Sequence, residues 1–204
     1  MVAPIIAWQS SLFDEGEPSA DASFASLTRR VLAQGAWVDH APRWLAGSGR
    51  LFDHLLHGLN WEGHQRWMYD RIVDDPRLSA RGLDVTALPP VVGQMRDLLV
   101  ERYGVEFTGV TANLYRDGRD SVAWHGDRVA RDRPEAVVAL MILGGRRRFL
   151  LRPKGGGRSV VFTPGPGDLL VMGGSCQRTW DHSVPKMAAA DARISVMFRH
   201  AYDE

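Results

Sequence analysis

The second half of the chain is a series of short apolar segments separated by glycine-containing turns, and this pattern limits the possible folds more than any other feature. Residues that favour strands fill each segment, and residues that favour turns bound it. The predicted strands are Thr111–Tyr115, Ser121–His125, Ala136–Leu143, Arg147–Arg152, Ser159–Thr163, Asp168–Met172 and Arg193–Phe198. Several short strands of this kind are typical of an all-β sandwich or barrel. We therefore expect a mainly β fold with flanking helices, of the α+β class.

The residues before about 105 lack this pattern, and their sequence indicates helices or irregular structure instead. Ser48 is suited to cap a helix that runs to Leu59, with leucines repeating on one face. A second helix is expected to begin at Leu88-Pro-Pro and to end at Gly104, because proline favours a first turn and glycine favours a helix end. These helices are expected to pack on the β core.

Composition places the chain among single-domain globular proteins. It has 204 residues, a mass of 22.7 kDa and 45% hydrophobic residues, which suits one domain with a core of its own. No repeat or linker divides it. We expect one domain over residues 1–204, with a helical N-terminal part in 1–105 and the β core in 106–204.

Charge and cysteine content restrict the partners and the compartment. A formal net charge of +1 gives no overall attraction to nucleic acid or anionic lipid. The single cysteine, Cys176, excludes an intrachain disulfide, and its role stays open. The sequence lacks a signal-peptide pattern and a long apolar run. We expect a cytoplasmic monomer that has no membrane partner.

A histidine and an aspartate at a spacing of two form the first candidate metal-binding pair. On a strand, residues two apart point to the same face, so His125 and Asp127 can converge on one ion. Such a pair alone is weak support, and His182 is the natural third ligand. Two histidines and one carboxylate leave coordination positions open and are typical of non-haem iron(II) oxygenases. Zinc can use the same ligands, which leaves a zinc hydrolase as an alternative.

Two arginines near the end of the chain suggest a site for a carboxylate. Arg193 and Arg199 are six residues apart, so a strand places both on one face. Arginines that point into a barrel are costly unless an anion pairs with them. We expect them to bind a 2-oxo acid with a distal carboxylate, and two solvent-exposed arginines at a sheet edge are the alternative.

Four short motifs together resemble the AlkB family of 2-oxoglutarate- and iron(II)-dependent dioxygenases, and most closely its members that repair alkylated nucleic acid. The motifs are Asn113-Leu-Tyr115, His125-x-Asp127, Trp180-x-His182-x-Val-Pro-Lys186 and Arg193-x5-Arg199, in that order. The resemblance covers about residues 107 to 200 and, more weakly, the region from Trp61 to Leu78. It implies a double-stranded β-helix, or jelly-roll, core.

The resemblance also implies roles for individual residues. His125, Asp127 and His182 would hold iron(II) as the catalytic and metal-binding set. Five residues would surround 2-oxoglutarate, of which Arg193 would pair with the distal carboxylate: Asn113, Tyr115, Arg193, Ser195 and Arg199. Ser195 replaces an asparagine that is common in the family, and its hydroxyl can still donate one hydrogen bond.

The implied reaction is oxidative demethylation or dealkylation of bases in nucleic acid, either DNA, preferably single-stranded, or RNA. It would consume O2 and 2-oxoglutarate and release succinate, CO2 and formaldehyde. Two alternatives stay open. One is a 2-oxoglutarate-dependent hydroxylase of a protein or small molecule, and the other is a non-catalytic nucleic-acid-binding module with a structural metal.

Two regions are candidates for substrate binding. The resemblance implies a nucleotide-recognition lid within residues 1–105, and this lid supplies Tyr69 and Arg77. The stretch 136–167 contains six cations and no acidic residue, and Arg148, Arg152 and Arg158 are the members expected to follow a phosphate backbone. A solvated hairpin is the alternative for this second region.

Overall fold

Two antiparallel β-sheets face each other, and a pair of helices covers the outer face of the larger sheet. The computed structural model describes residues 6, 16–68, 71–127, 129 and 133–200, with side chains left aside for 66–68 and 71–74. The strands are β1 (Ser19–Ala20), β2 (Thr28–Val31), β3 (Ala36–Ala41), β4 (Leu45–Ala46), β5 (Glu62–Met68), β6 (Arg71–Ala80), β7 (Phe107–Tyr115), β8 (Val122–His125), β9 (Val138–Gly144), β10 (Phe149–Pro153), β11 (Val160–Phe162), β12 (Leu169–Gly174), β13 (Trp180–Val184) and β14 (Arg193–His200). The α-helices are α1 (Ser48–Gly58), α2 (Pro90–Tyr103) and α3 (Cys176–Thr179).

The strand order is that of a jelly-roll. The large sheet runs β2-β3-β12-β9-β14-β7-β6-β5, the small sheet runs β11-β10-β13-β8, and β1 pairs with β4. The pairings that join these strands are antiparallel. The predicted mainly β, jelly-roll class is therefore confirmed.

Alternation along β14 separates two apolar clusters. Ile194, Val196 and Phe198 belong to the cluster that includes α1 and α2. Met197 belongs to a second cluster, which fills the space between the sheets together with residues such as Phe149. Successive side chains on a strand point to opposite faces. One face of β14 therefore packs against the helices, and the other packs in the interior between the sheets.

Both predicted helices are present, with one correction at the start of the first. Helix α1 begins at Ser48, and the residue that caps it is Gly47, whose φ of 64° is the left-handed conformation. A side chain at Gly47 would also collide with the backbone of Gly16. Ser48 is therefore the first helical residue rather than the cap. Helix α2 ends as predicted at Gly104, which has a φ of 64°.

The expectation of a helical or irregular segment before residue 105 was incomplete, because six strands lie there. Strands β2 and β3 extend one edge of the large sheet, and the β5–β6 hairpin extends the other. Strand β3 pairs with β12, more than 120 residues later. A partner so distant leaves no periodic signal in the local sequence.

No helix in the described part of the chain is long and apolar enough to span a membrane.

A buried carboxylate at the start of β12 connects three segments and gives a prediction about stability. Asp168 accepts the main-chain N–H groups of Arg43 and Gly165 at 2.9 Å each, and His40 Nε2 lies 3.1 Å from its Oδ2. Burial raises the pKa of Asp168, but these bonds, that of His40 foremost, outweigh burial and lower the pKa below its ordinary value.

We expect Asp168→Asn to lower the free energy of unfolding by roughly 1–3 kcal/mol at neutral pH, since one buried N–H loses its acceptor. A depressed carboxyl pKa stabilises the fold above about pH 4, and this stabilisation is lost as the pH falls through the folded-state value. The gap between wild type and variant, measured by urea unfolding, should therefore shrink in acid. Asp97→Asn, at an exposed site on α2, is the control, and an equal loss there would contradict the prediction.

Candidate active site

The structure brings the three predicted metal ligands together between the two sheets. His125 ends β8, Asp127 follows two residues later, and His182 lies in β13 directly across the pairing from His125. The candidate ligand atoms of the three residues all lie within 4.8 Å of one another. This is the only such cluster among the described residues.

The hydrogen bonds and the burial of these residues suit a divalent metal. His125 Nδ1 lies 2.8 Å from the carbonyl of Ala123, so Nδ1 is assigned the proton and Nε2 becomes the ligand atom. Burial, together with the nearby charge of His125, lowers the pKa of His182 to about 3, which keeps it neutral. Burial raises the pKa of Asp127, but neighbouring positive charge, including that of Arg199, which also donates a hydrogen bond, outweighs burial and lowers that pKa. Neutral imidazoles and an ionised carboxylate are the states that metal binding requires.

A second group of predicted residues lies beside this cluster because two strands are in register. In the β7–β14 pair, Asn113 faces Ser195 and Tyr115 faces Arg193. These residues and the three candidate ligands line one cavity of about 160 Å³. The lining residues are Arg77, Asn113, Tyr115, Val122, His125, Asp127, Leu140, Phe149, His182, Val184, Arg193, Ser195, Met197 and Arg199.

Arg193 is the strongest sign of an anionic ligand. It is 0% exposed, and its Nε donates to Ser195 Oγ at 3.2 Å. Its two terminal nitrogens are buried and have no hydrogen-bond partner in the described part of the chain. Burial lowers the pKa of Arg193 to about 10, so it stays charged at neutral pH. A forked cation with two unused donors fits a carboxylate, and the alternative of a solvent-exposed Arg193 is excluded.

Arg199 connects the two halves of the cavity. It donates to Thr111 on β7, and its other terminal nitrogen lies 3.3 Å from Asp127 Oδ1. The second predicted arginine therefore contacts a candidate metal ligand as well as lining the cavity. Asn113 is held by Ser79, whose hydroxyl donates to the amide oxygen at 2.8 Å.

Arg147 is a residue of the site region that sequence reasoning placed wrongly. It is one of the six cations of the stretch 136–167, which was expected to follow a phosphate backbone or to form a solvated hairpin. It is instead 0% exposed and donates to the carbonyls of Asp117, Asp120 and Pro185. Its guanidinium carbon lies 5.5 Å from the centre of the Tyr115 ring. The available signal was strand alternation, since Phe149, two residues later, also points inward.

The candidate substrate residues are divided between the cavity and the outer surface. Arg77 lines the cavity, donates to Tyr115 Oη at 3.2 Å, and has a buried Nε without a partner in the described structure. Arg148 and Arg158 are exposed, and Arg152 is half-buried with its guanidinium carbon 4.1 Å from the Trp124 ring centre. None of these last three lines the cavity. Tyr69 lies outside the described residues.

Comparison with known families assigns the class. Residues 21–199 match the family described as the 2OG-Fe(II) oxygenase superfamily. The chain belongs to this superfamily and is, by class, a 2-oxoglutarate- and iron(II)-dependent dioxygenase, with iron(II), 2-oxoglutarate and O2 as its cofactor and cosubstrates. The resemblance seen in the four motifs is confirmed. The donor set and the unpaired Arg193 fork fit iron(II) and 2-oxoglutarate respectively.

Two curated relatives show which individual proteins the chain is similar to. The chain is 30% identical over 158 residues to the alpha-ketoglutarate-dependent dioxygenase alkB homolog 3 of Bos taurus, covering 71% of this chain and 51% of the relative. It is 32% identical over 120 residues to the DNA oxidative demethylase ALKBH2 of Arabidopsis thaliana, covering 47% and 38%. The chain thus spans about half the length, or less, of these curated relatives.

A solved structure supports the fold alone. A prolyl hydroxylase from Trichoplax adhaerens, in complex with a hypoxia inducible factor peptide fragment, matches with a TM-score of 0.61. The match covers 82% of this chain and 84% of that one, at 14% identity.

The unpaired fork of Arg193 gives a prediction about cosubstrate affinity. We expect Arg193→Met to raise the dissociation constant for 2-oxoglutarate by about 100-fold or more, because the carboxylate would be buried without its cation. Titration with 2-oxoglutarate in the presence of Mn(II), without O2, measures it. Arg30→Met, at an exposed arginine on β2, is the control. An unchanged affinity in Arg193→Met would contradict the assignment.

Proposed function

We propose that the protein is an oxidative dealkylase of alkylated bases in nucleic acid, acting on DNA, preferably single-stranded, or on RNA. The observation that carries the proposal is the coincidence of this dioxygenase site with similarity to relatives named as alkB homologues and as a DNA oxidative demethylase. When bound, iron(II) with 2-oxoglutarate and O2 supplies the oxidation of an N-alkyl carbon, with loss of succinate, CO2 and formaldehyde.

The residues of this chain bind and orient the reactants. His125, Asp127 and His182 hold the metal from the small sheet and the loop that follows it. Arg193, assisted by the residues around it, holds the distal carboxylate at the large sheet. Both sets line one cavity, so 2-oxoglutarate held by Arg193 would lie beside the residues that would hold the metal. Holding the reactants in this way lowers the entropic part of the barrier.

Arg77 is the proposed contact on the substrate side. Arg77 lies on β6, whereas Arg193, which is proposed to bind the distal carboxylate, lies on β14. Both line the same cavity. Its buried Nε needs an acceptor. A carbonyl oxygen of a base, or a phosphate oxygen beside it, can supply that acceptor.

The outer cations are proposed to hold the nucleic acid backbone rather than the target base. Phe149 and Leu151 on β10 are buried in the interior, so Arg148 and Arg152 project from the opposite face of the small sheet. Arg158 is exposed in the following loop. Cations that lie outside the cavity can bind phosphate groups. Such contacts fix the position of the nucleic acid but do not distinguish one base from another.

The first test of the function is product formation. With iron(II), 2-oxoglutarate and O2, wild type should release formaldehyde and succinate in equal amounts from a methylated oligonucleotide. Asp127→Ala should reduce turnover to background because the metal loses its only carboxylate ligand. Mass spectrometry of the oligonucleotide and a succinate assay measure both.

Other outcomes select the alternatives. A protein that consumes 2-oxoglutarate faster with a peptide or metabolite, and not with any oligonucleotide, would be the hydroxylase of a protein or small molecule. A protein that binds oligonucleotides and never consumes 2-oxoglutarate would be a non-catalytic binding module. Full turnover by Asp127→Ala would reject the assigned metal site.

The second test addresses the outer cations through the salt dependence of binding. Each lost phosphate contact lowers the slope of log affinity against log salt by roughly 0.7–0.9. We expect the double variant Arg148→Ala/Arg158→Ala to bind a single-stranded oligonucleotide more weakly and with a slope reduced by about 1.5. Arg30→Ala/Arg50→Ala, which removes exposed arginines from β2 and α1, is the matched control. Identical slopes in the two double variants would reject this surface.

A further inference from the structure

A buried glutamine holds the backbone of a metal ligand, although no sequence motif pointed to it. Gln177 lies in α3, five residues before His182, and is 2% exposed. Its side-chain Oε1 accepts the main-chain N–H of Asp127 at 2.8 Å. One short helix therefore connects the segment that carries the last ligand with the loop that carries the carboxylate ligand.

The orientation of the Gln177 amide is determined by its partner. A main-chain N–H can only donate, so the oxygen of the amide must face Asp127. The nitrogen then points to Met172, with Nε2 at 3.6 Å from the sulfur, which is a weak acceptor. The strong bond of this side chain is therefore the one to Asp127.

The neighbouring residues hold the same loop against α3. A Cβ atom on Gly126 would lie 2.9 Å from the carbonyl oxygen of Gln177, so a glycine is needed for this close approach. Arg178 donates to the carbonyl of Val129 at 2.8 Å and to that of Arg133 at 3.0 Å. The loop that contains Asp127 is thus attached to α3 at several points, and Gln177 supplies the contact at the ligand itself.

We propose that Gln177 is a positioning residue of the metal centre, which acts by holding the Asp127 backbone so that the carboxylate is already directed at the metal. Outer contacts that orient metal ligands typically contribute 10- to 100-fold to metal affinity. Without the acceptor, the part-buried N–H of Asp127 loses its partner, and the loop gains freedom that metal binding must remove. This inference depends on the dioxygenase class and not on the proposed substrate.

The test compares two substitutions that differ in one property. Gln177→Met keeps the length of the side chain and removes the acceptor, whereas Gln177→Glu keeps an acceptor oxygen in place. We expect the dissociation constant for Mn(II), a stand-in for iron(II) that O2 does not oxidise, to rise roughly 10- to 100-fold in Gln177→Met. Gln177→Glu should bind at least 10-fold more tightly than Gln177→Met. Free Mn(II), counted by electron paramagnetic resonance, gives both constants.

A stability control separates positioning from simple damage to the fold. Leu99→Ala opens the core beside α2, far in the sequence from any ligand, and should lower the melting temperature without changing Mn(II) affinity. Equal Mn(II) affinity in wild type and Gln177→Met would overturn the proposal, as would failure of Gln177→Glu to exceed Gln177→Met.

A measurement on the wild type covers the case in which Gln177→Met does not fold. The Asp127 amide of the metal-free protein should exchange its hydrogen slowly, since it donates to a buried acceptor. Exchange of that amide at the rate of an unstructured peptide would overturn the proposal without any variant.

Discussion

A fully buried guanidinium without an anion is the constraint around which the interior is organised. Arg193 is 0% exposed and has two unpaired terminal nitrogens within the described structure. Leaving such a charge unpaired in a protein interior costs several kcal/mol. The Ser195 hydroxyl does not remove this cost, because it takes up only Nε. A carboxylate paired with Arg193 does remove it, so a charge that is costly when unpaired gives the cavity its preference for an acidic cosubstrate.

The apolar packing outside the site keeps Arg193 in place. On β14, Arg193 and Ser195 face the cavity, while Ile194 and Val196 face the cluster of α1 and α2. A slip of one residue in the pairing with β7 would exchange the two sets and expose the charged side chain to an apolar layer. Packing of β14 against the layer of α1 and α2 therefore fixes the strand register that the active site needs. In this way helices outside the cavity contribute to the position of Arg193.

The sequence predicted the parts of the site that depend on local spacing. His125 and Asp127 are two apart, which a strand period brings together, and His182 followed as the natural third ligand. The family motifs added Asn113 and Tyr115. Arg147 was misplaced because a run of three arginines hides alternation, with exposed neighbours on both sides of a buried centre. Gln177 was missed because its partner lies 50 residues away. Contacts of that range become visible only after the sheets have formed.

The cavity is strongly positive, although the whole chain has a formal net charge of only +1. Arg77, Arg193 and Arg199 line it, and Asp127 is the one carboxylate among its described lining residues. Addition of a divalent metal increases the positive charge, which the guanidinium groups oppose at low dielectric. The dianion 2-oxoglutarate has the opposite effect, because one end can pair with Arg193 while the other approaches the metal. The cosubstrate therefore relieves the repulsion that the metal would meet alone, and the metal adds to the attraction for the dianion, so the charges of this cavity favour their binding together.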